Sequence, residues 1–516
     1  MEQSPHRWDA QMTRVFIIVA GLLLIIMRCS RPEEGPALTA GAEQGTIAMI
    51  EGSCGSCHLT PEPGALPRHI WDTIVLPRMG QFLGRYTSAA ERDALLGTLP
   101  ADRTARLAAN IYPEEKRISD EDWATIRSYY LDHAPLTTPA PAVSAPETDL
   151  FTPHFPEAFL SPPSTSFVHF LPGQGLVFAD INKASLLLLD EELRAVRRLP
   201  TGPGLTHLTG LSIGNFATVI GSFSPTEAAT GRLLQWTAAG PKTISDKLQR
   251  PTSLARLDID QDGTEELLVS EFGKWTGRLS LWHANPAGSY TPSALSDRPG
   301  AMNVLTDTTA ATPTAYVLFG QGKEEVIRFT FPDGKPQQEV VLRFPPYWGS
   351  SSLQLIDWNG DQFTDLLCTN GDNADYQSPV KAYHGIRVYT GSASGQFEEA
   401  FFHPMPGAYG ARMADFNLDG HKDLAAISFF PDFSLDNPLS VAIFFGAADG
   451  SFRQYRLPAG DRGRWIVMDA ADYDGDGDTD LVAGSLAMEA VPDRGRMANW
   501  IKQGLPVVVW ENKTLD

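Results

Sequence analysis

The sequence predicts a multidomain chain in which a small all-α domain precedes an all-β propeller of seven blades. Three observations carry that reading. A short acidic pattern recurs four times in the second half of the chain. Seven short apolar strands, all but the first ending in an aromatic residue, recur between residues 186 and 510. Upstream of both lies a Cys-x-x-Cys-His segment, followed by a capped helical pattern.

Length and composition set the bounds. A chain of 516 residues exceeds what one core usually covers, so two or more domains are expected. The net charge of −21 argues against nucleic acid as a partner, because that binding depends on Lys and Arg neutralising phosphates. Four cysteines, Cys29, Cys54, Cys57 and Cys368, are too few for a disulfide scaffold.

Residues Val15 to Met27 form an apolar run of 13, flanked by Arg14 and Arg28. The run is too short to span a bilayer comfortably and fits the h-region of an export signal to the periplasm or cell envelope. The cysteine that follows resembles that of a bacterial lipoprotein signal, which implies lipidation and membrane attachment at Cys29. Arg28 departs from the small residue usual there, and an uncleaved signal anchor is the alternative.

Cys54-Gly-Ser-Cys57-His58 has the spacing for covalent haem c: two thiols for thioethers and an adjacent imidazole for the iron. A thioredoxin-like dithiol would need a βαβ context, and a zinc site would need further Cys or His pairs. Met79, on the proline-stiffened stretch Val75 to Gly80, is the chosen sixth ligand, with His69 and Met49 as rivals. Ser119 then caps a segment with acids in its first turn, and Trp123, Ile126 and Tyr130 fall on one helical face. The order of haem motif, Met segment and closing helix resembles a monohaem class I cytochrome c over about residues 45–135. Residues 136–150, with Pro139, Pro141 and Pro146 among Thr, Ala and Ser, read as a stiff linker.

From residue 151 to 513 the chain reads as a repeat array. Its acidic pattern places oxygen ligands at Asp258, Asp260, Asp262 and Glu266; at Asp357, Asn359, Asp361 and Asp365; at Asp415, Asn417, Asp419 and Asp423; and at Asp472, Asp474, Asp476 and Asp480. Alternate oxygens around a turn suit Ca²⁺, up to four ions in all. An EF-hand would need a bidentate Glu at position twelve, where Val269, Cys368, Ala426 and Ala483 stand. Each loop is instead followed by Leu and an apolar run, so it should join two strands. Asx-rich turns without metal are the competing reading.

The repeated strands are Leu186–Asp190, Arg232–Trp236, Arg278–Trp282, Glu325–Phe329, Gly385–Tyr389, Ser440–Phe444 and Pro506–Trp510. Their last residues are spaced by 46, 46, 47, 60, 55 and 66, which argues a propeller rather than a β-helix or a sandwich. The D-x-[DN]-x-D-G-x-x-D-L loops resemble FG-GAP or VCBS repeats, the calcium-bearing blades also found in integrin α-subunit propellers. The combination is similar to bacterial envelope proteins that pair a cytochrome-c-like N-terminus with such a propeller. The resemblance implies calcium-stabilised blades and one bound haem c, and supplies no substrate.

The longer spacings come from insertions after the strand that follows each loop, at roughly 370–384, 429–439 and 485–505. Insertions and acidic loops should therefore lie on opposite faces. The insertions carry Asp375, Tyr376, Tyr383, His384, Phe430, Phe433, Arg494 and Trp500, a mix suited to a partner or a polar ligand. Two functions fit. One is an electron-transfer protein whose propeller docks a redox partner protein. The other is a carbohydrate or small-molecule oxidoreductase with its active site on the insertion face. The first is preferred, because no flavin, nicotinamide or nucleophile fingerprint is present.

Overall fold

The computed structural model describes residues 40–139, 141, 145–285, 288–374, 379–488 and 492–515. The apolar run 15–27, Cys29, Asp375 and Tyr376 lie outside the described residues. Among those described, no helix is long and apolar enough to cross a membrane.

The described residues from 151 onward form seven four-stranded antiparallel sheets arranged as a β-propeller. In each sheet the third strand coincides with one of the seven repeated segments, for example Gly231–Thr237, Arg278–Ala284 and Gly385–Thr390. The second strands, such as Glu266–Glu271, Asp365–Asn370 and Asp423–Ser428, are buried along their whole length. They read as continuous rather than alternating apolar runs because each is sandwiched between two neighbouring blades. Outer strands such as Ala195–Pro200 are mostly exposed.

The core is divided accordingly. Phe329 and Phe319 of the fourth blade share one apolar layer with Leu268 and Leu281 of the third, and Leu366 and Tyr389 of the fifth share another with Tyr316 and Leu318 of the fourth. Inner strands are joined by a recurring hydroxyl. Ser166 Oγ donates to Leu205 O at 2.8 Å, Thr206 Oγ1 to Pro251 O at 2.9 Å, Thr252 Oγ1 to Met302 O at 2.8 Å and Ser351 Oγ to Ala408 O at 2.8 Å. Each occupies the second position of its inner strand and reaches the next blade, so neighbouring blades are tied near the axis.

Closure uses both ends of the array. The seventh sheet takes Trp465–Ala471, Asp480–Ser485 and Val507–Asn512 from the C-terminal side, and Phe151–His154 as its outer strand, with Phe151 opposite Asn512. The segment expected to be a free linker is partly held as well: Arg456 N donates to Pro146 O at 2.8 Å and Thr148 N to Arg456 O at 3.1 Å. Pro146 thus offers its carbonyl and Thr148 its amide to Arg456, so the segment runs along the outer strand of the sixth blade.

Residues 40–135 are helical. Ala40–Cys54 and Asp120–His133 meet in a cluster that includes Ile50, Trp71, Ile126 and Tyr130. Ser119 caps the latter helix by accepting from Asp122 N at 3.0 Å, and Trp123, Ile126 and Tyr130 are its buried face. Met79 sits in the helix Leu76–Phe82 rather than on a turn; that helix continues directly from a π-helical turn, Trp71–Val75, and Pro77, which has no N–H, stands just past the junction.

Phe151 is 2% exposed and packs with Trp465, Trp510 and Phe416 at the closing seam. Phe151→Ala should therefore cost about 3–5 kcal/mol. Urea unfolding followed by tryptophan fluorescence would register the loss as a lower midpoint at unchanged slope.

Candidate functional site

The four acidic loops share one geometry. The first aspartate of each accepts from the amide five residues on: Asp258 from Gly263 N at 2.9 Å, Asp357 from Gln362 N at 3.3 Å, Asp415 from Gly420 N at 2.9 Å and Asp472 from Gly477 N at 3.2 Å. That amide belongs to a residue at positive φ, +88° at Gly263, +87° at Gly420 and +103° at Gly477. Gln362 is driven to +71°, so the turn survives the loss of its glycine at the expense of local strain.

The ninth residue turns inward. Glu266, Asp365, Asp423 and Asp480 accept from Ile259 N at 3.2 Å, Trp358 N at 2.7 Å, Phe416 N at 2.9 Å and Tyr473 N at 2.7 Å. In the last three the second oxygen accepts from Gly391 N, Gly446 N and Asn512 N, at the end of the third strand. Burial pushes Asp423 up to about 6 and Asp480 up to about 7, against the pull of these amides.

Two loops suit a hard cation best. Carboxylate oxygens of Asp258, Asp260 and Asp262 lie within 4.8 Å of one another, as do those of Asp472, Asp474 and Asp476. Burial and then neighbouring acids raise Asp474 above the usual carboxylate range, the protonation cost that a cation would remove. In the other two loops an amide lies among the acids: Asn359 Nδ2 donates to Asp361 at 2.8 Å and Asn417 Nδ2 to Asp419 at 3.0 Å.

Cys54 ends the first helix, Cys57 is exposed just beyond it, and both are free thiols. His58 Nδ1 lies 2.8 Å from Leu59 O. A carbonyl can only accept, so Nδ1 carries the proton and Nε2 keeps its lone pair. Burial lowers the His58 pKa and favours the neutral ring. Cys54 and Met79 border the same apolar cluster, as does Met49, while His69 is exposed. This donor set fits haem c: two free thiols, one imidazole fixed in the ligating tautomer and a thioether beside the same core.

The insertions lie at the strand ends opposite the acidic loops, and much of their aromatic surface is used internally. Phe433 and Trp500 are buried against each other at 6.2 Å, and Arg464 lies 5.4 Å from the Phe433 ring. Phe430 stacks edge-on with Phe429 at 5.0 Å. Arg494 is half-exposed and pairs with Asp436 at 2.7 Å. His384 is buried, with burial first and Lys381 and Arg387 second holding its imidazole neutral. An open face of contact residues is thus corrected to loops long enough to fold back and fill their own cores.

The same face carries the helical region. Tyr383 Oη donates to Ala65 O at 3.2 Å, and Phe82 meets Trp275 edge-on at 5.1 Å. Asp102 accepts from Thr226 Oγ1 at 2.6 Å and Glu227 N at 2.7 Å, while Arg106 reaches Asp102 at 3.1 Å and Glu227 at 3.5 Å. Glu227 in turn accepts from Thr276 N and Oγ1. All three charged groups of this network are nearly buried and mutually paired, which fixes orientation more than it adds stability.

Sequence reasoning missed the axial channel, of about 1190 Å³. Across four consecutive blades its wall carries Gln354, Arg412, Asp469 and His169. Asp469 Oδ2 lies 2.7 Å from His169 Nδ1, and Oδ1 lies 3.6 Å from Arg412 Nε. The signal was present: Gln354, Arg412 and Asp469 each stand three residues before the first aspartate of an acidic loop.

Residues 357–426 match the FG-GAP-like repeat family. The matched stretch begins at one acidic loop and includes the next. No curated protein matches the chain. Among solved structures the chain is similar to BBS1N in its complex with ARL6DN, at 12% identity over 71% of this chain and 97% of that one, TM-score 0.42. It is also similar to a protein described as a candidate 6-phosphogluconolactonase of Bacteroides fragilis, at 14% identity over 56% and 80% of the two chains, TM-score 0.36. The chain carries FG-GAP-like repeat sequence on a seven-bladed β-propeller.

Under the insertion face, burial pushes Glu324 up to about 7, although its carboxylate accepts from Ser350 N at 2.9 Å and Ser350 Oγ at 2.7 Å. A folded-state pKa raised above the unfolded one contributes stability that is full below the ordinary glutamate range and is lost as pH rises through about 7. Urea midpoints at about pH 5 and about pH 8 should differ less in Glu324→Gln than in the parent protein.

Proposed function

We propose that this is an exported haem c protein that transfers single electrons, with a calcium-stabilised propeller as the platform that carries and presents the haem-bearing helices. The observation that carries the reading is His58, whose Nδ1 is committed to Leu59 O beside two free thiols, leaving Nε2 to ligate. Cys54 and Cys57 would form the thioethers, and His58 and Met79 would ligate the iron. Covalently bound haem supplies a one-electron iron couple, and a thioether ligand raises its potential.

The chain's own residues do the remaining work. Ile50, Trp71, Ile126 and Tyr130 supply the dry wall that lowers the local dielectric. The paired set of Asp102, Arg106 and Glu227, with the rings of Phe82, Tyr112 and Trp275, holds the helical region in one orientation on the propeller. That leaves the exposed Cys57 side of the motif free for a redox partner. On the opposite face Ca²⁺ would neutralise the acidic loops and add RT ln(1 + [L]/Kd), about 2.7 kcal/mol per site at a hundredfold excess over Kd. Export rests on the apolar run before Cys29, and membrane attachment on that cysteine.

Two measurements test the reading. Cys57→Ala should abolish or halve haem staining after denaturing electrophoresis, and Met79→Ala should remove the weak sulfur-to-iron absorption band; full staining in Cys54→Ala/Cys57→Ala would refute covalent haem. Chelation should lower the propeller's melting transition, and Asp476→Asn should need more Ca²⁺ to restore it. A melting curve indifferent to both chelator and Ca²⁺ would return the loops to plain Asx turns.

A further inference from the structure

We propose that the axial channel is a binding site for a small uncharged polyhydroxylated ligand, of the monosaccharide or polyol class. The inference goes beyond the electron-transfer reading and does not rest on it, since every residue it uses belongs to the propeller.

Size is the first argument. A channel of about 1190 Å³ is comparable with small-molecule pockets, and a monosaccharide with its first hydration shell fits within it. Charge is the second. The guanidinium and the carboxylate of the polar tier are spent on each other and on the backbone. Arg412 Nη2 donates to Met468 O at 2.6 Å and Nη1 to Ala411 O at 3.0 Å, while Asp469 Oδ2 takes both His169 Nδ1 and, at 3.1 Å, Phe170 N. Nearer the insertion end Arg250 is likewise committed, to Gly273 O at 2.6 Å, Phe223 O at 3.1 Å and Ser222 O at 3.2 Å. A charged ligand would find the tier's ions already satisfied.

Imidazole and amide groups are the ones left over. With Nδ1 engaged by Asp469, His169 keeps Nε2 for a ligand, and its side chain is 52% exposed. His207, one blade on and also lining the channel, is lowered to about 4 by burial and the nearby His169, so its ring offers one donor and one acceptor. Across the axis, in the fourth blade, Asn303 and Gln321 line the channel, and the amide oxygen of each is buried without a hydrogen-bond partner. A rotation of either amide toward the channel would let a ligand hydroxyl supply the missing hydrogen bond. Alternating donors and acceptors from imidazole and amide, on opposite walls, match several hydroxyls presented around one small ring or chain. Phe167 and Phe272 line the same space and supply apolar surface for the C–H faces of such a ligand.

The insertion end gives the channel its relation to the rest of the molecule. Lys274 lines the channel there, with its ammonium 5.3 Å from the ring of Trp275, the residue against which Phe82 of the helical region packs.

Isothermal titration of the full chain with glucose, sorbitol, glucuronate and glucosamine tests the proposal. Glucose or sorbitol should bind, His207→Leu and Asn303→Leu should weaken that binding at least about tenfold, His207→Gln should restore part of it, and Lys274→Ala should leave it unchanged. On the unaltered protein, imidazole NMR should show His207 shifting with added sugar while His133, on the helical region, stays put. No heat from either neutral probe, tighter binding of glucuronate or glucosamine, or unaltered binding in both Leu variants would each overturn the proposal. So would a His207 signal indifferent to the sugar, which also covers the case in which the Leu variants do not fold. Loss of haem staining would leave these outcomes untouched, so the two readings fail separately.

Discussion

Ring closure is the constraint on which the rest of this structure depends. Six blades take four consecutive strands, but the seventh has three, and its outer edge would expose unpaired amides unless Phe151–His154 filled it. Because that strand precedes the whole array in sequence, closure pairs residues more than 350 positions apart, Phe151 with Asn512. Only a closed ring gives each second strand an apolar neighbour on both sides. The channel, the two faces and the layers between blades all follow from it.

Antiparallel strands then divide the work. A loop that precedes the second strand and an insertion that follows it must lie at opposite ends. The acidic loops therefore gather on one face, and Trp275, Tyr383 and Glu227, which meet the helices, on the other. Changes in the loops would reach the helical region through the length of a blade. The ninth acid of each loop is the group placed to transmit them, since its oxygens hold the loop's second residue and, in three loops, the end of the third strand.

The parts of this architecture that were legible in the sequence are those encoded by repetition. The third strands could be located because all but the first carry an aromatic that packs between blades, and the turns of three acidic loops because Gly263, Gly420 and Gly477 mark a left-handed backbone. Gln362 shows the limit: the same conformation occurs without its marker. The cap at Ser119 and the buried face of its helix were readable because both are local. Phe433 and Trp500 misled, because an aromatic on an inserted loop has the same one-letter code whether it greets a partner or the next loop of its own chain. The pairing of Asp102 with Glu227, 125 residues away, has no local signature at all. The axial tier is an intermediate case, visible once inner strands are aligned on their loops, but assembled from unlike residues that no single motif describes.

The closing blade also holds one of the two most acidic loops, and blade and loop are physically continuous. Asp480 Oδ1 accepts from Asn512 N at 2.8 Å, and Asp478 Oδ2 accepts from Leu515 N at 3.1 Å, so carboxylates of the loop grip the end of Val507–Asn512, the strand on which Phe151–His154 closes the ring. Asn512 Nδ2 donates onward to Phe416 O at 2.7 Å in the sixth blade, and Tyr473 Oη donates to Glu191 O at 2.5 Å in the first. Repulsion among Asp472, Asp474 and Asp476 thus acts where the sixth, seventh and first blades meet. Relieving it, by a cation or by protons, favours the closed ring, whereas the same relief at Asp258, Asp260 and Asp262 would act within a blade that sequence continuity already holds in place. Chemically similar loops therefore differ in consequence because of where closure falls, and the loop at Asp472 is the one whose charge state the whole propeller feels.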